Sequence, residues 1–240
     1  MLGRIWRFDA PVFRKLLVVG LPISGAYLLE FGVFAAAALL MGTISTTALA
    51  AHQIALQIAA VLFMVPFGIS IAATVRVGHA VGRRDAAATR RAGFAALALG
   101  GLFMAVMTSL VALGRDLLPI LFLGPPTPET AETFALTATL LLVGMSFFIA
   151  DGLQTVAAGA LRGLNDTRIP LLFATFSFWV VGFTACWWLG FQAGFGAVGV
   201  WIGLTVGILV YAVLLVTRFH LLTARGYMPE VGQSASAVSH

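Results

Sequence analysis

Charge is what this sequence has least of. Only 10% of its 240 residues are Asp, Glu, Lys or Arg, against about 25% in a soluble domain, while 60% are hydrophobic. A soluble core cannot hide that much apolar surface, so lipid must solvate most of the chain. There is a single cysteine, Cys186, inside an apolar run, which excludes a disulfide within the chain. No glycine-rich nucleotide loop, metal-ligand cluster or nucleophile triad is visible. ATP-driven work within this chain, a structural metal and an enzyme's chemistry are therefore all without support. The net charge is +5, but the basic residues sit in short loops rather than along one face with interleaved aromatics, so nucleic acid is a poor partner. Membrane lipids with anionic headgroups are the better one.

What the sequence has in quantity is long apolar runs. About 20 mostly apolar residues make a membrane-spanning helix, and six runs qualify: residues 16–41, 48–75, 92–113, 134–161, 169–189 and 198–222. The expected fold is all-α, a polytopic membrane bundle of six transmembrane helices. Several runs exceed the minimum, which predicts tilt or protrusion from the bilayer. The basic N-terminus followed by an apolar stretch looks like a secretion signal, but the stretch is longer than the usual ~7–15 residues, so it reads as an uncleaved span. The domain plan is a cytoplasmic segment at 1–15, a six-span lobe at 16–223 and a disordered cytoplasmic tail at 224–240.

The loops give an orientation. Thirteen of the 14 basic residues fall on one side of the six spans and only Arg115 on the other. By the positive-inside rule both termini are cytoplasmic, which suits a multi-pass protein of the plasma (inner) membrane. The opposite loops, 42–47 and 190–196, are short and uncharged, and 124–129 is a proline-rich surface turn. There is one internal echo. Gly78-x-x-x-Gly82-x-x-Asp85 closes the second run and Gly159-x-x-x-Gly163-x-x-Asp166 the fourth. Both glycine pairs permit close helix approach and both aspartates can cap the next helix. The echo reads as two helix ends solving the same problem rather than as a repeat.

Two acids lie deep within apolar runs, Glu30 in the first and Asp151 in the fourth. An ionisable group at that depth is costly and marks a functional site by default. Counting about 1.5 Å per residue from opposite sides brings both near mid-membrane. If they meet, repulsion and desolvation favour uptake of a proton or a small cation. Phe147, Gln154 and Thr155 share the helical face of Asp151, and Tyr27 and Phe34 flank Glu30. Gln53 and Gln57, four apart in the second run beside His52, fit either a polar cavity or hydrogen bonding between helices. Candidate substrate-cavity residues are thus Tyr27, Gln53, Gln57, Phe147 and Gln154. Pro22 and Pro66 are expected to interrupt the first two spans and are hinge candidates.

Four motifs, in order, are Gly20-Leu-Pro-Ile23 with Glu30, Ala48-Leu-Ala-Ala-His-Gln-Ile-Ala55, Ala73-Thr-Val-Arg-Val-Gly78 and Ala158-Gly-Ala-Leu-Arg-Gly-Leu-Asn-Asp-Thr-Arg168. Together they resemble the multidrug and toxic compound extrusion (MATE) family, most of all its NorM-like bacterial branch, over residues 13–223. The resemblance implies a secondary transporter rather than an enzyme. It would be a multidrug antiporter that exports organic cations in exchange for H⁺ or Na⁺, with no cofactor beyond that ion. Family members have twelve spans in two six-helix lobes around a cleft, and this chain resembles the second lobe. It is therefore expected to be a fragment, a split subunit or one half of a homodimer, with a missing N-terminal lobe or a second copy as partner. The resemblance assigns Glu30 and Asp151 to the cation site of that lobe. Where some Na⁺-coupled members carry a tyrosine one turn before the aspartate, Phe147 stands here, without a hydroxyl ligand. Two alternatives remain open: a lipid-linked saccharide flippase of the same superfamily, and a non-transporting membrane remnant or scaffold. The absence of Lys or Arg in mid-span favours cationic substrates over the flippase.

Overall fold

Within lipid a backbone must satisfy its own hydrogen bonds, and a helix does so along its length. The computed structural model describes residues 10–227, which are mostly helical and include no strand. The helices are α1 (Ala10–Ile44), α2 (Thr46–Gly82), α3 (Ala86–Gly114), the single turn α4 (Ile120–Leu123), α5 (Ala131–Val143), α6 (Met145–Gly163), α7 (Arg168–Gln192) and α8 (Gly196–Ala224). Part of α7 is wound more widely, as π-helix over Thr175–Phe183 and Trp188–Gln192. The expectations for the segment before Ala10 and for the tail after Tyr227 lie outside the described residues.

Five helices are long and apolar enough to cross a membrane, and α5 with α6 makes a sixth span if the two are taken together. The run at 134–161, expected as the fourth span, is this pair, broken between Val143 and Met145. The two halves are bent by 50° at Gly144. A Cβ there would lie 2.9 Å from the Trp201 ring and 3.0 Å from the Leu140 carbonyl, so the indole of α8 is wedged where only glycine fits. Helices α1 and α2 both run on as helix through their prolines, Pro22 and Pro66.

Protrusion is clearest in α2. Its 37 residues span about 55 Å at ~1.5 Å each, nearly twice the ~30 Å hydrocarbon core. Its last turns carry Arg76, His79 and Arg83 past the apolar run. The turn from α1 to α2 is shorter than expected and rests on Ser45, whose hydroxyl accepts from the Ala48 amide at 2.9 Å. Asp85 caps α3 as expected, accepting from Ala88 N at 2.8 Å. Asp166 does not cap α7; it pairs with Arg218 Nε at 2.9 Å. The echoed helix ends do share a geometry. Arg84 (φ 56) and Asn165 (φ 59) are both left-handed, and the next amides return to Ala80 O and Leu161 O at 3.1 and 3.0 Å. This is the αL helix ending in which a late amide satisfies an orphan carbonyl.

Helices α2, α6 and α8 form the centre, α3 covers the α2–α6 side, α7 packs on α8, and α1 lies against α2, α7 and α8. The α2–α6 crossing follows from residue size. Gly159 and Gly163 face Ser70, Thr74 and Val77 so closely that a Cβ on Gly159 would collide with the Ser70 carbonyl. The contact lets Ser70 Oγ donate to Thr155 O and Thr74 Oγ1 donate to Gly159 O, both at 2.8 Å, as small residues permit in membrane helix pairs. The other pair of the echo behaves differently: Gly78 makes only ordinary contact and Gly82 faces open space. One face of α1, with Leu28 and Phe31 at 74% and 71% exposure, is left for lipid or protein to cover.

Candidate functional site

Helix α1 contributes Glu30, and α6 contributes Asp151 and Gln154 one turn apart. The Gln154 amide joins all three: its Nε2 donates to Glu30 Oε1 at 2.7 Å and to Asp151 Oδ1 at 3.1 Å. Two carboxylates from distant parts of the sequence thus share one amide group. When both are ionised they repel each other, and a proton or a cation between them relieves that repulsion. Asp151 is buried and Glu30 half-buried.

Beside them is a narrow cavity bordered by α1, α6, the α6–α7 turn and α8, with Tyr27, Glu30, Gln154, Arg162 and Tyr211 on its wall. It encloses about 40 Å³, room for a few waters or one small ion at ~10–15 Å³ each. An organic cation does not fit within it. Asp151 does not border the cavity and stands behind Gln154.

Arg162 changes the electrostatics. The sequence reading counts it among the loop cations, but it lies in the last turn of α6 with its guanidinium turned inward. Its Nη1 donates to Tyr27 OH at 3.2 Å, its Nη2 to Ser70 Oγ at 2.9 Å and its Nε to Ala158 O at 3.3 Å. The guanidinium also lies over the Tyr27 ring at 5.8 Å. A permanent positive charge therefore shares the cavity with Glu30. Among the described residues no carboxylate forms an ion pair with it. The long side chain hides this role from the sequence, because its acceptors sit on two other helices.

Of the other candidates, Tyr27 and Gln154 border the cavity. Phe147 does not: it is buried against Phe34, Phe148 and Trp201, with ring centroids 5.5–5.9 Å away. Gln53 and Gln57 are exposed on α2 and do not border the cavity. His52 is fully buried, and Trp201 Nε1 donates to its Nδ1 at 3.1 Å. With Nδ1 as acceptor the ring's proton sits on Nε2, which has no partner. Pro22 borders the cavity, and Pro66 is buried in α2 away from it. Among the described residues no group of three or more His, Cys, Asp or Glu comes together.

A MatE family model matches residues 22–188. The chain belongs to the MatE family. It is 66% identical over 223 residues to a probable multidrug resistance protein NorM of Rhodopseudomonas palustris, covering 93% of this chain and 47% of that protein. It is 47% identical over 214 residues to the multidrug resistance protein NorM of Burkholderia vietnamiensis, covering 89% and 46%. A crystal structure of a MATE P26A mutant superposes with a TM-score of 0.83 at 18% identity, over 93% of this chain and 49% of that one. The eukaryotic MATE transporter AtDTX14 gives 0.80 at 22% identity, over 92% and 50%. These structures establish the fold. This MatE chain spans about half the length of the curated relatives it matches.

Proposed function

We propose that this chain is one lobe of a multidrug antiporter in the inner membrane that exports small organic cations in exchange for an inorganic cation, with Glu30 and Asp151 as the coupling carboxylates. The carrying observation is the Gln154 amide shared by the two acids beside a cavity of ionic size. The relatives named as multidrug resistance proteins support the same reading.

Exchange requires that ion and drug favour different states, since a ligand shifts an equilibrium only through differential affinity. The ionised pair offers a negative centre to either ligand. Filling it with the small ion removes the attraction for the other and biases rocking of one lobe against its partner. The geometry favours H⁺ over Na⁺. Gln154 turns its NH₂, not its carbonyl oxygen, toward both carboxylates, so as placed it adds no oxygen ligand for Na⁺. The aromatic packing of Phe147 supplies no hydroxyl to replace the amide.

The drug is larger than the cavity, so its site is a cleft completed by a second six-helix half, supplied by a partner lobe or by a second copy. The exposed glutamines Gln53 and Gln57 and the exposed face of α1 are the surfaces available to line it. The test is drug resistance in cells expressing the chain, with crosslinking to report its assembly state. Resistance is expected only where a second half is present. Full resistance from a demonstrated monomer contradicts the proposal.

A further inference from the structure

We propose that the groove between α2 and α3, on the side where α2 ends and α3 begins, is a binding site for an anionic phospholipid. Its phosphate would lie among Arg76, Arg83 and Arg91, and its acyl chain would follow the small-residue floor toward the membrane interior. The groove is about 530 Å³, within the ~300–1,000 Å³ range of small-molecule sites.

Its wall is built by two helical stripes. Along α2, Ile69, Ala72, Arg76 and Arg83 recur at spacings of three, four and seven; along α3, Arg91, Ala95 and Leu99 recur at four. Each stripe is basic toward the α2–α3 turn and apolar toward the interior. Headgroup and tail chemistry are therefore stacked along the membrane normal in the order a lipid presents them.

No carboxylate borders the groove, and Asp85, the acid at the turn, is already used in capping α3. Among the described residues the ion pairs involve Arg115 and Arg218, not the three groove arginines. Guanidinium groups bind phosphate oxygens in a bidentate way, and an arginine cluster next to a membrane helix is the usual chemistry for acidic headgroups. A zwitterionic lipid gains less here, since nothing on the wall receives its ammonium. Free phosphate would use the arginines but leave the lower half of the groove empty. The proposal does not depend on the transport reading.

The test is lipid retention by the purified 240-residue chain in detergent, read by native mass spectrometry with phosphatidylglycerol or phosphatidylcholine added in equal amount. Phosphatidylglycerol should be retained preferentially. Arg76→Gln with Arg91→Gln should weaken that retention on the order of tenfold or more. Arg84→Gln with Arg90→Gln removes the same charge outside the groove and should leave most of it. Ala95→Phe keeps the charge but fills the floor, and should also lower retention. Inorganic phosphate should displace the lipid poorly. Equal retention of the two lipids, equal loss in both double variants, no effect of Ala95→Phe, or ready displacement by phosphate would each overturn the assignment.

Discussion

Replacing Gly159 by alanine tests the α2–α6 crossing on which the site is built. The new Cβ would land on the Ser70 carbonyl and hydroxyl, so the helices must separate. Separation strains two interhelical hydrogen bonds, Ser70 Oγ to Thr155 O and Thr74 Oγ1 to Gly159 O, worth about 0.6 kcal/mol each and up to ~1.7. Overpacking adds roughly 1–3 kcal/mol, while the better helix propensity of alanine returns up to ~1 kcal/mol. The net expectation is a loss of about 1–4 kcal/mol. Gly82→Ala is the internal control. Nothing lies within 4 Å of a Cβ there, so only the propensity gain remains and stability should hold or rise. Equilibrium unfolding of the three proteins in bicelles measures both effects. A Gly159→Ala protein as stable as wild type would refute the close crossing.

Arg162→Gln should lower the unfolding temperature, because hydrogen bonds made by a charged group contribute about 1.5–3 kcal/mol each. Arg162→Lys should recover only part of the loss, since lysine lacks the guanidinium fork that reaches Tyr27 and Ser70 together; full recovery would reduce Arg162 to a point charge. Trp201→Phe leaves both nitrogens of buried His52 without a partner and should cost about 1–3 kcal/mol in the same unfolding assay. A cost near zero would show that the bond to Nδ1 carries no stability. For topology, Cys186 is buried, so a new cysteine at exposed Thr127 or Ala87 dominates labelling by an impermeant thiol reagent. Thr127→Cys should react from outside and Ala87→Cys only from within. Labelling of both from one side would refute the alternating spans.

The spans were legible because backbone in lipid has few options and apolar runs record them. The 50° bend was not, because what surrounds it lies on another helix: Gly144 looks like any glycine in an apolar run until the fold places Trp201 where a side chain would go. The depth of Glu30 and Asp151 could be counted along the sequence, and Gln154 followed from helical spacing on the face of Asp151. Arg162 could not be found in that way. Its Cα sits at a helix end among loop cations, and only the fold shows its side chain turning back to two hydroxyls. Gln53 and Gln57 share a helical face as expected, but spacing within one helix does not say which neighbour that face meets.

The central claim is that the Glu30–Gln154–Asp151 cluster couples an ion gradient to drug export. Asp151→Asn keeps the shape of the side chain and removes its charge, and Glu30→Gln does the same at the other end of the amide bridge. The measurement is efflux of a fluorescent organic cation from everted vesicles under an imposed pH or Na⁺ gradient, with the lobe in a transporter of its relatives' full length. Asp151→Asn should reach the membrane yet lose ion-driven efflux, with Glu30→Gln damaged to an equal or smaller degree. Wild-type efflux from the Asp151→Asn protein under both gradients would contradict the account.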